Sequence, residues 1–173
     1  MLQDNYFALF ALPLTYQLNQ TDLADRYRRL QAEVHPDKHA AGSAAQKRLA
    51  MQQATQVNSA YQTLKHPVKR ALYLIAQHGI NLEEEASVSM TPEFLFAQMD
   101  LRERLENLPK QADPIAALEQ FLAEIEQQSK ALQHALQDTF KEKNWTDTEQ
   151  LIRKLQFFNK LITEAIGLEE SLY

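Results

Sequence analysis

His35, Pro36, Asp37 and Lys38 put an imidazole, a carboxylate and an ammonium into four consecutive residues, interrupted by a proline. Metal ligation, acid–base catalysis and presentation of charge to a protein partner all use such groups. A metal requires further ligands at fixed geometry. His39 alternates with His35 and Asp37 across the proline, and no other His or carboxylate is placed by pattern to complete a set. We therefore expect no metal, no cofactor and no catalytic residue. Pro36 bars a helix from continuing and biases His35 toward extended backbone. The tetrapeptide reads as a stiff, solvent-facing loop that holds Asp37 outward.

Such a loop needs rigid flanks, and the pattern on either side supplies them. At about 100° per residue, Leu23, Tyr27, Leu30 and Val34 form one stripe, with Arg28 and Arg29 pointing away and Arg26 at its edge. Ser43 and Gln46 have capping-box spacing, opening a helix to about Lys65 with Ala50, Ala54, Val57, Tyr61 and Leu64 as the matching stripe. The two should pack as a hairpin with His35–Lys38 at its turn. A short helix near 4–11 stops before Pro13, the first hairpin helix starts after Asn19 or Thr21, and Pro67 opens a fourth helix ending near Gly79. The arginine face suits a solvated surface, a nucleic acid or an acidic protein. A net charge of −5 gives nucleic acid poor support.

The chain has 173 residues, 45% hydrophobic and 24% charged, with only 3 glycines and 6 prolines. Those proportions and the helical spacing predict an all-α globular protein. The absence of cysteine excludes disulfides and thiolate sites and fits a reducing, cytoplasmic setting. The apolar run Tyr6–Leu12 follows Asp4 and lacks a basic start, so it is not read as a signal peptide, and no stretch is long enough to span a bilayer. Residues 1–78 carry nine Lys/Arg against five Asp/Glu, whereas the remainder carries nine against eighteen. This asymmetry predicts two modules, 1–78 and 90–173, joined by a linker over 79–89 that contains Glu83, Glu84 and Glu85.

In the second module Thr91-Pro92 and Asp113-Pro114 open helices, and Gly167 is placed to end the last of three. The middle helix shows one stripe, from Ile115 and Leu118 to Leu136 and Phe140. The last has Leu151, Leu155, Phe158, Ile162 and Ala165 as its core stripe, leaving Phe157 well off it. In the helix from Pro92, Phe94, Leu101, Leu105 and Leu108 face the core. Leu95, Phe96 and Met99 lie on another sector, beside Asp100, Glu103 and Glu106. That surplus fits either a broad packing face or an exposed protein-binding patch rimmed by carboxylates.

Tyr27-Arg-Arg-Leu30, His35-Pro-Asp-Lys38, Val57-Asn-Ser-Ala-Tyr61, Leu64, Pro67 and Arg70-Ala-Leu-Tyr73 together resemble the J domain of DnaJ-type co-chaperones. Asn5–Pro13, Phe94–Leu105 and Ile152–Leu161 are similar to the HscB family, and the lack of cysteine points to its bacterial branch. The resemblance implies an L-shaped molecule: an N-terminal J domain of helical hairpin plus short helices, joined to a C-terminal three-helix bundle. It implies that His35, Pro36 and Asp37, with Arg28 and Arg29, dock on the DnaK-type chaperone HscA and stimulate its ATPase. It assigns Leu95, Phe96, Met99, Asp100, Glu103 and Phe157 to binding the iron–sulfur scaffold IscU. Neither nucleic acid nor membrane is an implied partner, and a monomer is the expectation. A J-domain adaptor for a different client stays open, as does a basic nucleic-acid-binding hairpin with an acidic tail.

Overall fold

A computed structural model describes residues 5–35, 37, 41–82 and 90–172; its helices are α1 (Tyr6–Leu9), α2 (Gln20–Val34), α3 (Ala44–Lys65), α4 (Pro67–Gln77), α5 (Pro92–Asn107), α6 (Pro114–Glu142) and α7 (Trp145–Leu172). Contacts divide the chain into two compact units, Met1–Asn81 and Leu82–Tyr173. From residue 83 to 89 the expected linker lies outside the described residues. No strand occurs among the described residues.

In the first unit each helix begins where a side chain satisfies its free amides. Asn5 Oδ1 accepts from the Phe7 N–H at 2.8 Å, and Asn19 Oδ1 accepts from the Asp22 N–H at 3.0 Å. Ser43 and Gln46 form the full reciprocal capping box. Leu23, Ala50, Val57, Ala60 and Leu64 are buried in the α2–α3 hairpin. Tyr27 and Tyr61 stack at 4.0 Å, and the Tyr27 hydroxyl donates to Asn58 Oδ1 at 2.7 Å. Each fully buried large apolar side chain contributes about 1.5–3 kcal/mol. Leu30 and Val34, nearer the loop, are only half-buried.

The short helices brace this hairpin. Phe7 and Phe10 are buried, and Tyr6 lies on Tyr73 of α4 with centroids 4.6 Å apart, its N–H donating to the Tyr73 hydroxyl at 2.9 Å. Arg26 donates to the carbonyls of Phe10 at 3.0 Å and Ala11 at 2.9 Å while pairing with Asp22. Those bonds hold Ala11 at φ 51°, a left-handed conformation that disfavours a Cβ. Arg26 is thus a tie between α1 and α2 and not part of the outward basic face. Gly79, at φ 82°, closes α4.

At the α3–α4 corner Arg70 is buried, donating from Nη1 to the Leu64 carbonyl at 2.8 Å with its guanidinium 4.7 Å from the Tyr16 ring. The Tyr16 hydroxyl donates to the Pro67 carbonyl at 3.3 Å. Burial pushes that hydroxyl up to about 12, against the lowering influence of Arg70. A folded-state value above the ordinary 10 means stability that is complete below pH 10 and lost as pH rises through about 12. The difference corresponds to roughly 2–3 kcal/mol. Across that window Tyr16→Phe should lose correspondingly less stability in urea titrations than the native chain. Equal losses would remove Tyr16 as the responsible group.

The second unit is a bundle. Thr91 caps α5 and Asp113 caps α6, as the sequence predicts. Lys143, at φ 57°, turns the chain from α6 into α7, and Phe140 meets Trp145 edge-on at 6.3 Å. One core cluster joins α5 (Leu101, Leu105) to the first half of α6 (Leu118, Phe121, Ile125) and the middle of α7 (Phe157, Phe158, Leu161). Leu136, Phe140 and Ile152 are buried toward the α6–α7 turn, outside that cluster. With 16 residues against 29, α5 spans about 24 Å and α6 about 43 Å, so α5 flanks only one end of the longer hairpin.

Two expectations for α7 require correction. Gly167 does not end it; the helix runs on to Leu172, because an interior glycine costs only about 1 kcal/mol relative to alanine. The core stripe is also displaced: Ile152 and Leu161 are fully buried, while Leu151 and Ile162 are only half-buried. Serving two neighbours, α5 and α6, demands a wider apolar face than a single stripe.

Candidate functional site

The loop between α2 and α3 starts from an extended His35 at φ −59°, ψ 128°, as expected for a residue preceding proline. Pro36 and Lys38 lie outside the described residues. The Asp37 N–H donates to His35 Nδ1 at 3.2 Å. The Asp37 carboxylate lies 3.6 Å from His35 Nδ1. The Asp37 side chain is 90% exposed. On α2, Arg28 and Arg29 both point to solvent. Arg28 is paired with Asp25, while Arg29 has no ion-pair partner among the described residues. One exposed carboxylate and an outward arginine pair therefore sit at and beside the same end of the hairpin.

The second face is on α5. Leu95, Phe96 and Met99 are 47%, 71% and 68% exposed, and Asp100 and Glu103 are exposed beside them. Five of the six residues expected for this patch thus share one surface. Phe157 does not: it is 9% exposed and belongs to the bundle core. It meets Phe94 edge-on at 5.7 Å and Phe158 at 5.5 Å, lying beneath α5 and not alongside the patch. Its place off the narrow α7 stripe reflects the breadth of the buried face.

Sequence reasoning assigned no role to Arg102 and Arg104. Arg104 grips Glu124 of α6 through two bonds of 3.1 and 2.6 Å, and Arg102 reaches Glu164 of α7 at 3.2 Å. Hydrogen bonding from Arg104 holds the Glu124 carboxyl below the usual carboxylate range. The only sequence signal was the Arg-Glu-Arg alternation flanking the apolar stripe. Among the described residues, no group of three or more His, Cys, Asp or Glu gathers as for a metal, and no helix is long and apolar enough to cross a membrane.

A family model described as the DnaJ domain matches residues 6–73, and one described as the HSCB C-terminal oligomerisation domain matches residues 90–165. The chain is 40% identical over 168 residues to the co-chaperone protein HscB homologue of Aliivibrio fischeri, covering 97% of this chain and 98% of that one. The chain belongs to the HscB co-chaperone family. The HscB homologue of Vibrio cholerae shows the same identity and coverage. The solved structure of chaperone HscB from Vibrio cholerae superposes with a TM-score of 0.87 at 39% identity, covering 98% of this chain and 99% of that one. Human co-chaperone HscB also gives 0.87, at 28% identity, with 98% and 84% covered. In HscB terms, α1–α4 and the His35–Asp37 loop are the J domain, and α5–α7 are the family's C-terminal helical domain. The protein is a J-domain co-chaperone of the family that serves iron–sulfur cluster assembly.

Proposed function

We propose that the protein is a non-enzymatic cytoplasmic adaptor that binds the scaffold IscU and delivers it to the chaperone HscA, whose ATP hydrolysis it stimulates. The observation that carries this reading is the co-occurrence, in one HscB-family chain, of an exposed Asp37 and a carboxylate-rimmed apolar face on α5. Asp37, with His35, Pro36, Arg28 and Arg29, faces the chaperone, where arginines speed encounter with an acidic surface. Leu95, Phe96 and Met99 enter apolar recesses of the scaffold, while Asp100 and Glu103 select a basic rim. Phe157 supports this face from below, through Phe94. Carrying both partners on one chain raises their mutual effective concentration without new chemistry.

Steady-state HscA turnover, measured with the full-length protein and increasing apo or cluster-loaded IscU, tests the reading. Stimulation by the protein alone, rising further with IscU, is the expected result. Stimulation that is indifferent to both IscU forms, together with no IscU binding in calorimetry, would leave the J-domain role and replace the client. A second reading, self-association through the bundle, takes its support from the family model's description. A mass that grows with concentration in sedimentation equilibrium is its mark.

A further inference from the structure

Helix α5 is apolar on two sides. Phe94, Leu101 and Leu105 face the bundle core, while Leu95, Phe96 and Met99 face solvent. Hydrophobicity alone chooses weakly between this orientation and one in which the helix has rolled to bury the second set. The polar residues distinguish them. Arg102 and Arg104 leave α5 on opposite flanks of the core-facing stripe, roughly 70–90° to either side. The Arg104 guanidinium lies 5.3 Å from the Phe121 ring while gripping Glu124 of α6; that of Arg102 lies 5.7 Å from Phe157 while reaching Glu164 of α7. A roll in either direction takes both arginines off their carboxylates and strands Glu124 and Glu164 on the partner helices.

We infer that Arg102 and Arg104 are positioning residues that fix the rotation of α5 and thereby keep Leu95, Phe96 and Met99 on the surface. Half-exposed ion pairs add little to stability, but the two-bond grip of Arg104 on Glu124 is directional, and the single bond from Arg102 to Glu164 attaches the opposite flank. With both arginines paired to neighbouring helices, Asp100, Glu103 and Glu106 remain exposed on the outward side of α5 among the apolar residues.

The chain contains no cysteine, so Met99→Cys creates a unique reporter. In an otherwise native chain that thiol should react rapidly with a maleimide. Adding Arg102→Ala and Arg104→Ala should slow the reaction at least about tenfold, as expected when the rolled state dominates by that ratio. Far-UV circular dichroism should stay unchanged. Exchanging the partners (Arg102→Glu with Glu164→Arg, and Arg104→Glu with Glu124→Arg) should restore fast labelling. Unchanged labelling without the arginines would overturn the inference, as would faster labelling with a collapsed melting temperature. The biological consequence rests on the IscU reading, and the two are separable: slowed labelling with undiminished IscU affinity would keep the clamp and sink the scaffold assignment.

Discussion

Asp37→Asn is expected to remove stimulation of HscA while leaving the fold and IscU affinity unchanged. The substitution is nearly isosteric and touches a side chain that is 90% exposed, so no packing is lost. The bond from the Asp37 backbone N–H to His35 Nδ1 does not use the carboxylate and survives the change. Only the charge disappears. Truncating one partner of a desolvated, hydrogen-bonded charge pair costs about 2–5 kcal/mol, upward of roughly thirtyfold. Single-turnover ATPase assays over a range of co-chaperone concentrations check this. A variant that stimulates normally would contradict the assignment of the loop.

Leu95→Ala combined with Phe96→Ala should have the opposite profile. Phe96 is largely and Leu95 about half solvent-exposed, and surface truncations usually move stability by no more than about 0.5 kcal/mol. In the proposed IscU interface the same residues would be central anchors, and losing one such anchor costs about 2 kcal/mol or more. The double variant should therefore bind IscU at least about thirtyfold more weakly by calorimetry. It should retain J-domain stimulation of HscA in the absence of IscU. A change in affinity of less than threefold would remove this face from the site.

Much of the fold was legible because caps and prolines are local signals. Asn19, Ser43, Thr91 and Asp113 each begin a helix where side-chain chemistry says one should start. The second apolar sector of α5 was legible as a helical spacing, but spacing left open whether Leu95, Phe96 and Met99 pack or face solvent, and the folded bundle leaves them exposed. What failed was non-local. Phe157 is buried because α7 packs against α5 and α6 together, and a single-stripe reading underestimates such a helix. Spacing put Arg26 at the edge of the α2 stripe, yet it also bonds the backbone carbonyls of Phe10 and Ala11, which no side-chain pattern reports. Arg102 and Glu164 are 62 positions apart, so only the folded bundle brings them together.

The mismatch in length between α5 and the α6–α7 hairpin sets the proposed client-binding helix apart from the stretch of the bundle that packs without it. The hairpin zips its own seam past the reach of the shorter segment, down to Phe140 and Ile152. On the proposed IscU reading, client choice would rest on the sixteen residues of α5, laid against one end of that girder. Such a reading head can be rewritten on its outer side, by mutation or by grafting, while the beam behind it keeps its shape.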